Sequence, residues 1–243
     1  MSEAKQHGND RCSSQSPFAT STESRGFDPN GLSHDEQFKL LLGSVCPRPI
    51  ALVTTLGPAG PNAAPFSFFN AFSVDPPMLA FSASANGGVL KDTIRNIRDM
   101  GEFVVHLIDD TLKDKMNVTS IEFAREINEI EEAGFTAVPS MKVRPPRLAE
   151  CPVAMECILT QILPLGRIPH HMVIGEVVYF HFREGLVNER MHVNTARLNP
   201  LGRLAGTENY TRITDRFAMP RLEVPKGKER TAADVLKSPN TSS

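Results

Sequence analysis

Hydrophobic residues in the N-terminal half of the chain fall in short runs that are separated by Gly, Pro, Asn and Ser. The run Ile50–Leu56 is apolar and β-branched, which is typical of a buried strand, and a Gly-Pro-Ala-Gly turn follows it. Asn62–Ser67 is then predicted as the returning strand and, after a break at Asp75–Pro77, Met78–Ala83 as the third. Because these connections are too short for the crossovers that parallel strands need, the pattern predicts an antiparallel meander.

Helical periodicity is clearest at Asp92–Met100, where Ile94 and Ile97 share one face and Gly101 follows at a position that helix ends favour for glycine. A short helix or turn is predicted at 32–43, and further helices at 111–118, 121–133 and within 188–201. Further strands are predicted at 103–108, 153–162 and 172–182. At least six strands with a few inserted helices predict a mainly β chain that forms one mostly antiparallel barrel. A Rossmann fold is the weaker alternative, since no GxGxxG follows a strand.

Composition and length predict the boundaries of the folded domain. At 243 residues the chain is long enough for one domain with a large core. Residues 1–30 are rich in Ser, Thr, Asn and Gln, show no periodicity and lack the apolar core of a signal peptide, so we expect a disordered tail there. Residues 224–243 are polar and are expected to form a flexible C-terminal tail, which leaves 31–223 as the folded domain.

The charge balance narrows the classes of partner. A formal net charge of −2 gives no reason to expect nucleic acid or an anionic membrane, and no apolar run approaches the roughly 18 residues of a spanning helix. The four cysteines, Cys12, Cys46, Cys151 and Cys157, form no CxxC pair and share no zinc spacing with histidine, so no metal site is expected. The composition therefore favours a cytoplasmic protein with reduced thiols.

The first candidate for chemistry is the helix start at Lys91-Asp92-Thr93. Exposed N–H groups at a helix start attract anions, and a lysine with a threonine hydroxyl adds to that attraction. The alternative, which the tripeptide taken alone favours, is that Asp92 or Thr93 caps the helix and Lys91 is solvated. Arg48, held between two prolines at a strand start, is a second candidate for the anion, and its alternative is an exposed arginine at a strand edge.

The second candidate is the segment Ser67-Phe68-Phe69-Asn70. Two aromatic rings between a hydroxyl and an amide form an apolar wall with a polar rim, and the Asn70 amide can both donate to and accept from a flat heterocycle. A core phenylalanine pair flanked by turn residues is an equal alternative. Ser82 and Ser84 follow the third strand and can hydrogen-bond a sugar-like chain, or they are ordinary strand-end serines.

The histidines give weaker signals. His170 and His171 lack the spacing of a helical metal site; one of them can face a cofactor pocket, although a partly exposed loop histidine is the simpler interpretation. His181 alternates with two phenylalanines and is expected to point toward solvent. No Ser-His-Asp or Cys-His order is present, so no catalytic residue is predicted, which suits a protein whose cofactor carries the reaction.

Eight stretches stand in one order between about residues 35 and 220. They are PRPIALVTT (47–55), APFSFFNAFSVDPPMLAFS (64–82), KDTIRNI (91–97), GEFVVHLID (101–109), MNVTS (116–120), VRPPRLAECPVAMEC (143–157), HMVIGEVVYFH (171–181) and LGRLAGTENY (201–210). Together they resemble the flavin reductase-like family of FMN-binding split β-barrels, its flavoredoxin-like branch in particular. The resemblance implies a six-stranded Greek-key split β-barrel with a few inserted helices, which forms a homodimer and binds FMN near the dimer interface.

The resemblance also assigns individual residues to FMN. These are Ser67, Phe68, Phe69 and Asn70 at the isoalloxazine and ribityl region, Ser82 and Ser84 along the ribityl chain, Lys91 and Thr93 with Arg48 at the phosphate, and Tyr210 at the flavin or the interface.

The activity that the resemblance implies is an NAD(P)H-dependent flavin oxidoreductase. NADH or NADPH would pass a hydride to the flavin, and reduced FMN would then serve an oxygenase or another acceptor. Two alternatives stay open, an FMN-binding electron carrier without nicotinamide activity and a non-catalytic interaction barrel. No nicotinamide-binding motif is visible, so the sequence does not separate the reductase from the carrier.

Overall fold

The computed structural model of the protein describes residues 24–85 and 88–220. Within them the chain forms two compact units, residues 24–41 and residues 42–220. Residues 1–23 of the expected N-terminal tail and the whole expected C-terminal tail lie outside the described residues. The domain boundaries therefore stay a prediction.

The first unit contains a 3-10 turn, Pro29–Gly31, and most of helix α1 (His34–Ser44). A capping box opens this helix: the Ser33 N–H donates to the Glu36 carboxylate at 2.8 Å, and the Glu36 N–H donates to the Ser33 hydroxyl at 3.3 Å. The helix predicted at 32–43 is confirmed.

Strands dominate the second unit, which confirms the predicted mainly β class. None of the helices in the described ranges is both long and apolar enough to cross a membrane. The strands are β1 (Arg48–Pro49), β2 (Ala51–Gly57), β3 (Gly60–Phe66), β4 (Phe68–Val74), β5 (Pro77–Ser84), β6 (Glu102–Leu107), β7 (Ala137–Val138), β8 (Arg147–Leu148), β9 (Val153–Leu165), β10 (His170–Phe182), β11 (Leu201–Arg203) and β12 (Tyr210–Arg212), and the helices are α2 (Asp92–Met100), α3 (Lys113–Val118), α4 (Glu129–Glu132) and α5 (Thr195–Leu198).

The main sheet has the strand order β3-β2-β6-β9-β10-β5-β4, and every neighbouring pair is antiparallel. Its two edge strands, β3 and β4, are consecutive in the chain and are joined through Ser67, so the curved sheet is split between them. This is the predicted split barrel, in which β6 returns beside β2 after the excursion through β4, β5 and α2. The hydrogen-bonded sheet has seven strands where six were expected. The sequence pattern did not indicate Phe68–Val74 as a strand of its own.

The inner face of the sheet packs against α2 around Phe81, Phe103, Ile94 and Ile97, all at most 1% exposed. Gly175 faces this core, and a Cβ atom there would stand 2.4 Å from the Phe103 ring. The glycine therefore lets the ring lie against the β10 backbone.

The outer face of the sheet has two halves. Over β2, β3 and β6 the chain between β6 and β9 folds back and buries a second core, which includes Leu52, Met116, Ile130 and Leu148. The last part of this excursion, residues 139–149, is called the strap below. The outer face of β4, β5 and the first part of β10 has no such cover among the described residues.

Buried polar groups of the sheet anchor the strap. The Thr54 hydroxyl donates to the Pro146 carbonyl at 2.5 Å, and the Leu148 N–H donates to Nε2 of His106 at 2.9 Å. The His106 Nδ1 atom lies 3.0 Å from the Leu52 carbonyl, so the ring is held as the neutral tautomer with its proton on Nδ1. Burial lowers the pKa of His106 to about 4.

Glu156, which is 0% exposed, provides the main anchor. Its carboxylate accepts the main-chain N–H groups of Met141, Lys142 and Val143 at 2.7, 2.6 and 3.2 Å, and lies 2.6 Å from Nε2 of His181. Burial by itself raises the pKa of Glu156, but the His181 and main-chain hydrogen bonds outweigh it and hold the pKa below its usual value. The expectation that His181 points toward solvent is wrong, because Glu156 holds its ring and 19% of the side chain is exposed.

The helix predicted at 121–133 is only partly present, whereas the one predicted within 188–201 is confirmed. In the stretch 121–133 only Glu129–Glu132 is helical, because the Asn128 side chain accepts the Ile130 N–H and starts the helix there. Of the predicted apolar face Ile130 is buried, whereas Ile127 is 39% exposed. The short helix expected within 188–201 is present as α5.

Candidate functional site

Six side chains share the uncovered half of the outer face. The register of the sheet places Phe68 and Met172 on either side of Ser82, and places His170 opposite Ser84. Since residues two apart in a strand share a face, Asn70 joins them. This group, the open face, consists of Phe68, Asn70, Ser82, Ser84, His170 and Met172.

The apolar part of the open face is built by Phe68, His170 and Met172. The Phe68 and His170 rings meet edge to face, with their centroids 5.4 Å apart. The sequence left open whether His170 faces a pocket, and the structure places it beside two of the predicted site residues. Period-two alternation along β10 was the signal for its direction, because it sets His170 and His171 on opposite faces.

Phe69 does not belong to this wall. It pairs with Phe81 across β4 and β5 and packs against the inner core, so the prediction that both phenylalanines form one wall is wrong. Alternation turns its side chain away from that of Phe68, which leaves only its main chain to the open face. Ser67 is the half-buried residue at which the chain passes from β3 to β4.

The polar part of the open face is formed by Asn70, Ser82 and Ser84. The Asn70 side-chain oxygen accepts the Ala71 N–H at 2.8 Å, which leaves the amide NH₂ to point outward as a donor. The hydroxyls of Ser82 and Ser84 have no hydrogen-bond partner among the described residues, and Ser84 is exposed. The face thus presents several free donors beside an apolar surface.

Lys91, the N-cap residue of helix α2, lies seven residues after Ser84. No side chain caps it, so the alternative in which Asp92 or Thr93 serves as the cap is not what the structure shows. Asp92 instead forms an ion pair with Arg95 and lies 3.4 Å from Arg125. The Lys91 ammonium lies 3.6 Å from the Glu122 carboxylate in a largely solvated pair, which costs little to exchange for another anion.

Thr93 is 1% exposed, and its hydroxyl donates to the Asn62 side-chain oxygen at 3.0 Å. The same oxygen lies 3.4 Å from the Thr55 hydroxyl, which accepts from the Asn96 amide at 3.0 Å. The hydroxyl proton of Thr93 is therefore used inside the protein. What Thr93 can offer an anion at the helix start is its main-chain N–H group.

Glu129 ends this buried network. Its Oε1 atom accepts the Asn62 amide at 2.7 Å, while its Oε2 atom is buried without a partner among the described residues. Burial raises the pKa of Glu129 above its usual value, and the negative charge of Asp92 acts in the same direction. A carboxyl group thus lies under the anion-attracting end of α2, joined to it through Asn62 and Thr93.

Arg48 has a structural role that sequence reasoning missed. Its guanidinium donates to the carbonyls of Leu42 and Val45, both at 2.9 Å, and to that of Leu204 at 3.1 Å. Arg48 is 5% exposed, so the interpretation as an exposed strand-edge arginine is wrong. Its terminal nitrogens are engaged by main-chain carbonyls, which leaves it little to offer a phosphate.

Tyr210 lies in a separate three-stranded sheet of β1, β11 and β12, where it pairs with Arg203 and carries that guanidinium 4.4 Å above its ring. It lines a cavity of about 540 Å³ together with Asp110, Lys113 and Arg212. No residue of the open face lines this cavity. Within a single chain, the structure therefore does not bring Tyr210 to the open face. Of the other predicted site residues, Arg48 shares its three-stranded sheet, where both pair with Arg203.

Protein-supplied nucleophiles are not evident in these regions. Burial raises the pKa of the Cys151 and Cys157 thiols, so both are poor thiolates. Among residues 24–85 and 88–220, no three His, Cys, Asp or Glu side chains converge as a metal site.

Comparisons with known proteins find relatives of this chain in sequence and in fold. The profile of the "Flavin reductase like domain" matches residues 42–201. An uncharacterised protein of Halalkalibacterium halodurans is 39% identical over 208 residues, which cover 83% of this chain and 99% of that protein.

Two solved structures are similar in both sequence and fold. Nitrilotriacetate monooxygenase component B from Bacillus cereus superposes with a TM-score of 0.79 at 35% identity, over 82% of this chain and all of that one. A 2-nitrobenzoate 2-nitroreductase from Pseudomonas fluorescens superposes with a TM-score of 0.73 at 37% identity, over 85% of this chain and 99% of that one.

Proposed function

Because this chain belongs to the flavin reductase-like domain family, we propose that it binds FMN and works as an NAD(P)H-dependent flavin oxidoreductase. The observation that carries the proposal is the uncapped start of α2, with Lys91 beside it, seven residues after the free hydroxyl of Ser84. This arrangement suits a ligand with an anion at the helix start and a polyol along the end of the strand.

The chain's own groups fit such a cofactor. Lys91 and the first N–H groups of α2 would hold the phosphate, and the Ser82 and Ser84 hydroxyls would bind the ribityl chain. The Asn70 amide and the main chain of Ser67–Asn70 would contact polar edges of the ring system, against the apolar surface of Phe68. Thr93 fixes the start of α2 through its hydrogen bond to Asn62. Arg48 instead holds the carbonyls of Leu42, Val45 and Leu204, and we assign it no direct contact with the cofactor.

The chemistry that FMN supplies when bound is hydride acceptance from NADH or NADPH and delivery of electrons to an acceptor. The protein's task is then to bind and orient the reactants and to exclude water from them. The Phe68, His170 and Met172 side chains would limit solvent at one side of the ring. The free thiols of Cys46, Cys151 and Cys157 suit the reducing cytoplasm in which we propose that it works.

A homodimer belongs to the same proposal. The uncovered outer face continues onto β9 with Ile158 and Leu165, both 47% exposed, and an apolar surface of this kind favours association. In a dimer, the partner would complete one side of the pocket. Tyr210, which the single chain leaves apart from the open face, would be a candidate for contact across that interface.

The acceptor is proposed from the relatives. The similarity to a monooxygenase component B supports delivery of reduced flavin to a partner oxygenase. The comparable similarity to a nitroreductase supports a second candidate, in which the flavin stays bound and a small nitroaromatic is reduced in place. Retention of the flavin separates the two, since the first requires exchange and the second does not.

Flavin identification followed by anaerobic stopped-flow mixing tests the proposal. The purified protein is expected to contain or take up FMN, and its visible absorption is expected to bleach with NADH or NADPH. A protein that takes up no FMN would contradict the flavin site and favour a non-catalytic barrel. FMN binding without bleaching by either donor would leave an electron carrier.

A further inference from the structure

A second polar cavity, of about 400 Å³, opens where the strap meets the last residues of β10. It lies on the covered half of the outer face, and none of the six open-face side chains lines it. Its side chains include Arg147, Tyr179, His181 and Arg183. Nothing in the proposed flavin chemistry uses these groups.

Arg147 brings a charge without a counterpart to this cavity. Among the described residues its guanidinium forms no ion pair and no hydrogen bond, and its Nε atom is buried without an acceptor. Arg183 differs, because it pairs with Asp109 at 3.0 Å and donates to the Glu150 carbonyl at 2.7 Å. A cation that is partly withdrawn from water and left unpaired is unfavourable unless an anion joins it.

Tyr179 and His181 form the wall beside this charge. Their ring centroids are 4.7 Å apart, and the hydrogen bond to Glu156 fixes the His181 ring through Nε2. The Tyr179 hydroxyl has no hydrogen-bond partner among the described residues, so it is available as a donor. Two flat rings, a phenol hydroxyl and a free guanidinium thus surround one volume.

We propose that this cavity is a binding site for a small organic carboxylate, with Arg147 as its principal anchor and Tyr179 as a second donor. A planar guanidinium matches the two oxygens of a carboxylate, and the adjoining rings suit an apolar body on the same molecule. A cavity of about 400 Å³ lies within the range that holds small ligands. The site is separate from the proposed flavin site.

Calorimetric titration of the FMN-loaded protein with sodium benzoate tests the site, and inorganic phosphate is the second probe. Wild-type protein is expected to bind benzoate saturably and more tightly than phosphate. Arg147→Gln is expected to weaken benzoate binding by at least about tenfold, the loss of one charged hydrogen-bonding group. Tyr179→Phe is expected to weaken it by a smaller factor, with FMN still bound in both variants.

Two matched variants locate the effect. Lys142→Gln removes one positive charge from the exposed part of the strap, and it is expected to leave benzoate binding unchanged. His170→Ala alters the open face and is expected to do the same. No saturable benzoate binding, tighter phosphate than benzoate binding, or loss of benzoate binding in His170→Ala with retention in Arg147→Gln would each overturn the proposal. Unchanged near-ultraviolet circular dichroism of Arg147→Gln shows that the variant has folded.

Discussion

On the covered half of the outer face Glu156 accepts three main-chain N–H groups and lies against His181, whereas on the open face the Ser82 and Ser84 hydroxyls have no partner among the described residues. Both halves belong to the same outer surface of one sheet. In the first, the strap satisfies the polar groups. On the open face, the polar side chains remain available to a ligand.

The difference shows how to separate structural polar groups from ligand-binding ones in this fold. Polar side chains that hold another part of the chain are buried and fully hydrogen-bonded, as His106 and Glu156 are. Those offered to a ligand are half-buried or exposed and keep free donors, as Ser82 and Asn70 do. Removing the first kind should lower stability, and removing the second kind should lower affinity.

The largest effect is expected at Glu156. Replacing it by Ala leaves the strap N–H groups of Met141 and Lys142 without an acceptor, so the free energy of unfolding should fall by about 3–5 kcal/mol. Urea unfolding of the flavin-free protein measures it. The control is Glu184→Ala at an exposed position, for which a change within about 0.5 kcal/mol is expected. Equal effects of the two substitutions would mean that the strap does not depend on Glu156.

The second effect is a pH dependence from His106. Because its pKa is about 4 in the folded protein and near 6.5 when unfolded, the unfolded chain binds the extra proton first as the pH falls. Stability should be full above pH 6.5 and decline toward pH 4 by roughly 3 kcal/mol. His106→Gln should remove this slope, whereas His192→Gln at an exposed position should keep it. Because the pKa of Glu156 is also depressed, stability should fall further as the pH drops below 4.5, the ordinary pKa of a glutamate.

The third effect concerns the start of α2. Lys91→Ala should weaken FMN binding by about 1.5–3 kcal/mol, the worth of a charged hydrogen bond, while the stability of the flavin-free protein stays within about 0.5 kcal/mol. Fluorescence titration measures the affinity, and Lys39→Ala in α1 is the control because it removes a lysine from another solvated ion pair, the one with Asp35. Unchanged FMN affinity in Lys91→Ala would place the phosphate elsewhere.

The smallest effect is expected at Glu129. This residue resembles a structural polar group through its bonded Oε1 atom and a ligand-binding one through its unpartnered Oε2 atom. Its raised pKa means that folding disfavours its charged form, a cost that is present above its unfolded pKa and vanishes as the pH falls below it. Glu129→Gln keeps an acceptor for the Asn62 amide and should therefore raise stability slightly at pH 7 and not at pH 4. Thermal unfolding at both pH values tests this. A loss of stability at pH 7 would mean that the charge is needed.

Much of the fold could be predicted because the strands alternate or are apolar in short runs between clear turn residues. Strand β4 was not predicted because its Phe-Phe-Asn-Ala-Phe run lacks strict alternation. Phe72 lies in a register shift against β5. The helix expected at 121–128 failed because propensity and periodicity there were not supported by packing: Ile127 has no core to enter.

The site was only partly predictable, for reasons of direction and distance. The opposite directions of Phe68 and Phe69 could have been predicted, because adjacent residues in a strand point to opposite faces. The role of Arg48 could not be foreseen, because its acceptor at Leu204 is 156 residues away. The network from Thr93 to Glu129 likewise joins segments that only the tertiary fold brings together.

The edge strand β3 has a consequence for aggregation. It carries Pro61 and Pro65, whose nitrogens cannot donate, while its other side is fully paired with β2. A foreign strand that approached this edge would find two donors missing from the ladder, which blocks sheet extension between molecules. The barrel can thus remain split without its β3 edge recruiting further chains.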